Sequence, residues 1–551
     1  MNRYQSIAFS LVLFSFNCFA QKDATINNDI TVVKGYKPVL AEARKISEIP
    51  TADTAVFETP KLSYAIDPKP LPSAYSISPI KAVKIKDENI KKLYRGYLEA
   101  GYGFPNTFYA DAYYNALRSK DFDAGIHLKH LSSTGKIKDY GFPGNSLNLI
   151  EGRGKKFLDG SAIGAQVAYQ RSMYHYYGYD AESTIFSKDE TKHVFNDLSG
   201  ELSYESLLAS RDELQHMVSI DFYNISDNYD MKESLFGLHT MLGKNISSGY
   251  LHGNLDFSYR KFTEPIREFN RSLLQFAPRY DINMQPWKFS AGFNLEWESE
   301  LESNLHLYPF ARFDYTLAEK SVIVYGQLDG KLKNNNYRRS SYENPFLDDT
   351  IGFANTNQLH NVEFGTNIRI DKDFHFNAWV KFSKYKNEQF YVNNFNGINP
   401  VTFSPVYSNA TLNTVHGELG YEHNTKINLW LKADYYGYSQ LDSSFLKPWH
   451  VSPFVFTLSL NYNIADKIII KTDWFIHSAS YYREYNSIGS VTGAGKLKSW
   501  GEINLSGEYR YSKTLSIFLN LNNLTFSKYQ QWYNYPAYRF SALAGITYAF
   551  Q

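Results

Sequence analysis

The stretch PWKFSAGFNLEWE (286–298) alternates along its whole length. Trp287, Phe289, Ala291, Phe293, Leu295 and Trp297 take one set of positions, while Lys288, Ser290, Asn294 and Glu296 take the other. Side chains of an extended chain point alternately to opposite faces, so this segment is a strand with one apolar and one polar face. The polar face bears charges that a packed core could not hold without partners. The same period recurs at 251–260, 426–436 and 502–511 and describes the chain from residue 93 onward.

A soluble sandwich would also alternate, but its strands are usually five or six residues long. These run to roughly ten to fourteen, enough to cross a bilayer at a tilt. About 22 such strands fit the sequence, and their connections alternate in length as in outer-membrane barrels, with short turns on one side and long loops on the other. Asp371-Lys372-Asp373, Asn424-Thr425 and Ser512-Lys513 are short turns after even-numbered strands; 333–358, 387–410, 480–497 and 523–539 read as long loops after odd-numbered ones. The expected fold is therefore all-β, a transmembrane antiparallel β-barrel of about 22 strands. Pro309 and Pro453 fall inside expected strands and predict bulges or displaced strand ends there.

Composition agrees once the two faces are separated. The 551 residues hold 57 Lys+Arg against 56 Asp+Glu, and 17% aromatic residues led by 45 Tyr. A mean hydropathy of −0.42 excludes a bundle of spanning helices but not a barrel, whose strands average out. The near-zero net charge argues against a nucleic-acid partner, which would call for a basic face.

The first 92 residues follow other rules. Arg3, the apolar run Ile7 to Phe16 and the Cys18-Phe19-Ala20 site read as a secretory signal at 1–20, cleaved after Ala20. Cleavage removes Cys18, the single cysteine, so no disulfide or cysteine metal site is expected in the mature chain. Residues 21–92 carry Pro38, Pro50, Pro60, Pro68, Pro70, Pro72 and Pro79, a density that opposes both helix and continuous strand. They read as an irregular periplasmic or lumenal arm before a barrel at 93–551.

At the C-terminus NLNNLTFSKYQQWYNYPAYRFSALAGITYAF (520–550) resembles the closing strand pair of TonB-dependent receptors, with its Asn-Leu-x-Asn run, its Tyr-Pro element and its alternating last strand. RSMYHYYGYD (171–180) is similar to barrels of this kind from Bacteroidota. The resemblance covers roughly 93–551 and implies solute uptake across the outer membrane, energised by a TonB-like partner. It also implies a globular N-terminal plug, for which 21–92 is too short, so a barrel without a full plug is expected. Asp29, Ile30, Thr31, Val32 and Val33 look somewhat like the box by which such receptors pair with that partner as an added strand.

Polar strand faces should line the lumen. They present His252, Asp256, Arg260, Arg312, Asp314, Lys432, Asp434, Lys471, Asp473, Glu508 and Arg510. Both signs are interspersed, which disfavours a strongly charge-selective pore. Enzyme signatures fail. Gly493-Ala494-Gly495-Lys496 lacks the first glycine and the Ser/Thr of a phosphate loop, and His127 and His130 fall on opposite strand faces, which disfavours a shared metal. No enzyme activity and no cofactor are expected. Three functional classes compete: solute uptake, a passive plugless channel, and a non-transporting scaffold that binds a surface lipoprotein or extracellular partner. Outer-membrane lipid is a partner in all three.

Overall fold

The computed structural model describes residues 93–550, apart from 118, 209, 300, 301, 318–320, 349–351 and 443–446. The signal, the proline-rich arm, the Asp29–Val33 segment and the expectation of a missing plug all lie outside the described residues.

The wall starts with β1 (Gly96–Phe104), β2 (Thr107–Asn115), β3 (Phe122–Ser133), β4 (Asn145–Leu158), β5 (Ser161–His175) and β6 (Lys192–Ser206). It continues through β7 (Gln215–Asp227), β8 (Lys232–Ile246), β9 (Gly249–Thr263), β10 (Glu268–Met284), β11 (Trp287–Ser299) and β12 (Ser303–Leu317). Next come β13 (Val322–Lys333), β14 (Thr356–Arg369), β15 (Phe374–Asn393), β16 (Phe403–His423), β17 (Ile427–Ser439), β18 (Phe454–Ile464) and β19 (Ile468–His477). After a small hairpin of β20 (Tyr481–Tyr485) and β21 (Val491–Lys496), the wall resumes with β22 (Trp500–Arg510) and β23 (Leu515–Asn522). The last loop holds β24 (Gln530–Trp532) and β25 (Tyr535–Pro536), and β26 (Ser541–Phe550) closes the ring.

All wall pairings are antiparallel between neighbours, and β1 pairs with both β2 and β26, so 22 strands form one closed barrel. Closure leaves the ring without a first or last edge, which a sheet in lipid requires. At the closing seam Gly545 is needed because a Cβ there would run into the Ala100 carbonyl oxygen.

The outer face is apolar. Leu98, Ile126, Ile150, Val167, Leu202, Phe222, Phe236, Leu255 and Phe276 all stand exposed around the ring. A continuous apolar belt on this scale is not stable in water, so the exterior meets hydrocarbon. Connections after even-numbered wall strands are short, as at 159–160, 247–248 and 285–286, whereas those after odd-numbered ones include 176–191, 334–355, 440–453 and 523–540. By the layout of outer-membrane barrels the long-loop end faces outward.

Two details correct the sequence reading, at 387–410 and at Pro309, while Pro453 shows the displaced strand end expected there. The expected loop 387–410 is mostly strand: β15 runs on to Asn393 and β16 begins at Phe403, past a bulge between Tyr385 and Glu388. Asn387 at the bulge adopts φ +56°, which Asn tolerates and which interrupts the period. Pro453 precedes β18 rather than lying in it. Pro309 does lie in a strand, in register opposite Phe293 and without a bulge. It falls where β12 has lost its partner on the other side, since β12–β13 pairing begins only at Ala311, so that ladder does not miss its N–H.

The loss of pairing has a cause. Above Ala311 the end of β13 leaves the wall and leans inward. Its Gly330 carbonyl accepts from Asn294 Nδ2 at 2.6 Å, and its Leu332 N–H donates to Glu296 Oε2 at 2.8 Å. Polar side chains of β11 thus replace the missing ladder, and Tyr308 is buried beneath the displaced strand. The β13–β14 connection is thereby carried into the lumen.

Candidate functional site

The loops at the long-loop end pack on one another rather than standing free in solvent. Their buried core contains Tyr176, Phe195, Ile225, Met231, Phe262, Tyr337, Leu347, Phe403 and Tyr535. Tyr176 donates its hydroxyl to the Leu347 carbonyl at 2.6 Å, and Tyr177 to that of Pro536 at 3.1 Å. Val401 N–H donates to Gly178 O at 3.1 Å, and Phe403 N–H to Phe346 O at 3.0 Å. The Phe346 and Tyr535 rings stack at 3.6 Å. Four connections, 176–191, 334–355, 394–402 and 523–540, are so tied into one cap across the barrel mouth.

The inward connection supplies the keystone of this cap. Its helix α1 (Tyr337–Glu343) is capped by Asn336, whose side chain accepts from Arg339 N–H, and Pro345 follows its end. Asp227, at the end of β7, accepts the Tyr337 hydroxyl at 2.5 Å and lies 2.9 Å from His193 Nε2. The same carboxylate takes the backbone N–H groups of Tyr229 and Met231, both at 2.9 Å. Arg338 N–H donates to Glu233 at 3.0 Å, its Nε to Asp197 at 2.6 Å, and its guanidinium lies 4.4 Å above the Tyr223 ring. From β10 the buried Arg271 donates to the Phe353 carbonyl at 2.6 Å and to Asn355 at 3.1 Å, pinning the return limb.

Beneath α1 lies a cavity of about 660 Å³ between the loop and the inner faces of β7 to β10. Its loop side presents Asn334, Arg338 and Arg339; its wall side presents Asp221, His239, Asp256 and Arg260. His239 sits between two carboxylates, 2.8 Å from Asp221 and 2.9 Å from Asp256. Arg260 reaches Glu233 only at 3.6 Å. Its Nε and both carboxamide atoms of Asn334 are enclosed with no hydrogen-bond partner among the described residues. Each such group costs about 1–3 kcal/mol when it stays unsatisfied.

Of the residues expected to line the lumen, Asp256 and Arg260 meet at this cavity. The others are spread around the wall. His252 lies 3.4 Å from Asp281, Arg312 is held by Asp314 at 2.8 Å, and Arg510 lies 3.6 Å from Glu508. Asp434 binds His416 at 2.7 Å with Lys432 3.9 Å away, and Asp473 accepts from Ser459 at 2.6 Å. Lys471 stands exposed opposite Asn461 and Ser506. Several charges of opposite sign thus lie beside one another along the wall. Sequence reasoning missed Asp197, Asp227, Glu233, His239 and Arg338. For the last, the Asn-rich run ending in Arg338-Arg339 within a long loop was the available signal.

A histidine packed against the cap is held neutral by burial. His450, in the connection 440–453, donates from Nδ1 to the Tyr391 carbonyl at 2.9 Å and accepts the Tyr533 N–H at Nε2. Its ring packs against Phe403 and Trp532, and burial pushes its pKa down to about 4. The unfolded chain takes up that proton near 6.5. The neutral ring therefore stabilises the cap fully above pH 6.5, and the contribution is lost as pH falls from there toward 4. Proteolysis within 440–453 is expected to rise over this window and to rise less in His450→Asn; identical acid profiles would contradict the assignment.

No protein-family model matches the chain, and no curated protein matches it in sequence. Solved structures do. The FrpB iron transporter from Neisseria meningitidis superposes with a TM-score of 0.66 at 11% identity, over 84% of this chain and 82% of that one. The chain has the barrel fold of these receptors. The siderophore receptor PirA from Acinetobacter baumannii gives 0.65 at 11% identity, over 84% and 81%. The ferripyoverdine receptor of the Pseudomonas aeruginosa outer membrane gives 0.63 at 11%, over 84% and 72%. The likeness to TonB-dependent receptor barrels, first visible in the closing strand pair, thus extends around the wall. At this identity it is a likeness of fold.

Proposed function

We propose that the chain is an outer-membrane barrel of a Gram-negative cell that moves a solute across that membrane through a lumen gated by its own loops. The observation that carries the reading is the combination of a closed 22-strand wall, apolar outside and charge-paired inside, with a packed cap across one mouth. A passive, permanently open channel fits that cap poorly. A non-transporting scaffold that binds a surface lipoprotein is the second reading, favoured by the extent of the cap's packed core.

Opening a packed cap requires work, which supports the energised version of uptake, with a TonB-like partner pairing to Asp29–Val33 as an added strand. Deleting that pentapeptide from the otherwise complete chain is expected to abolish both uptake and partner pull-down. Unchanged uptake would overturn the coupling.

A further inference from the structure

The cavity beneath α1 differs from the rest of the lumen wall in how its charges are arranged. Elsewhere along the wall, several cations and carboxylates sit in short-range pairs, such as Arg312 with Asp314 and Lys381 with Glu363. Here Arg260, Arg338 and Arg339 share one lining with Asp221 and Asp256, and these groups are not all paired with one another. Arg338 and Arg339 descend from the loop beside Arg260, while Asp221 and Asp256 share a single imidazole, His239, on the wall. Arg338 is matched by Asp197 and Arg260 faces Glu233, but no hydrogen bond or ion pair holds the Arg339 guanidinium among the described residues. The carboxylate side has one imidazole for two acids, so its charge is not balanced locally either. Leu235, Leu273 and Leu332 add an apolar patch to the same lining.

We propose that this cavity binds a small zwitterionic solute of the short-peptide class, carrying both a carboxylate and an ammonium. The carboxylate meets the planar guanidinium of Arg339, whose fork suits its geometry. The ammonium turns to Asp221 and Asp256, and a side chain covers the leucines. A simple anion would leave the carboxylate side unmatched, and a simple cation would leave Arg339 unmatched. The volume of about 660 Å³ lies within the range of small-ligand sites. The inference deepens the transport reading, on which it rests, by naming the solute class.

The test is calorimetric titration of the full-length chain in detergent with the dipeptide Ala-Leu, against succinate, choline and sucrose. The dipeptide is expected to bind at one site per chain, with the other three weaker by about tenfold or more. Arg339→Gln and Asp256→Asn should each weaken it by about tenfold. Arg339 is exposed and makes no side-chain bond among the described residues, so its variant should keep the fold, verified by an unchanged chymotryptic digestion pattern. Absent dipeptide binding, equal binding of succinate, choline or sucrose, or unaltered affinity in Arg339→Gln would each overturn the proposal. Binding without uptake would overturn the transport reading alone. Dipeptide uptake without saturable binding would overturn this inference alone.

Discussion

Asp227→Ala is expected to release the cap while leaving the barrel wall closed. The carboxylate is buried, and its two oxygens serve Tyr337, His193 and the backbone of Tyr229 and Met231. Truncation leaves a buried hydroxyl, an imidazole and two N–H groups without their acceptor. Removing a buried carboxylate that satisfies this many donors costs on the order of 3–5 kcal/mol, or roughly 150- to 5,000-fold in the population of the open cap. Trypsin reads this directly, because Arg338 and Arg339 lie on α1 and Arg338 is held against Asp197 and Tyr223. Cleavage there should accelerate by that factor. Asp227→Asn keeps one acceptor oxygen and should fall between. A cleavage rate equal to that of the natural chain would mean that Asp227 does not hold the loop.

The wall was legible because its signal is local. In the stretch 286–298 each residue declares its face within two positions, and the turn Asp371–Asp373 closes on itself through Asp371 Oδ1 and the N–H groups of Asp373 and Phe374. Period and turn chemistry together count the strands. The longer reach of β15 and β16 escaped notice because Asn387 and the neighbouring bulge break the period in mid-strand. The cap was not legible, because its contacts join residues far apart in the chain. Tyr176 meets a carbonyl 171 residues away, and Gln530 meets Tyr140 across 390. Asp227 and Glu233 read as ordinary polar positions near a strand end. Only the inward lean of β13 brings α1 to them, and that lean depends on Asn294 and Glu296 taking over backbone groups two strands away.

The second large effect concerns the lumen itself. A 22-stranded wall encloses a space too wide to be filled by wall side chains alone, which is why transporter barrels of this size carry something inside. Here the connection 334–355 crosses the mouth, fixed at one limb by Arg271 and at the other by Asp227 and Asp197. Replacing 336–353 with a short glycine linker removes α1 and those anchor points but leaves every wall pairing in place. Conductance in planar bilayers, recorded for the full-length chain with and without this segment, is the most direct measurement of whether the chain's own loops gate a passage. A passage gated by the chain's own loops predicts a silent or nearly silent full-length chain and large, stable conductance steps after excision. Equal traces from the two, whether both open or both sealed, would contradict it.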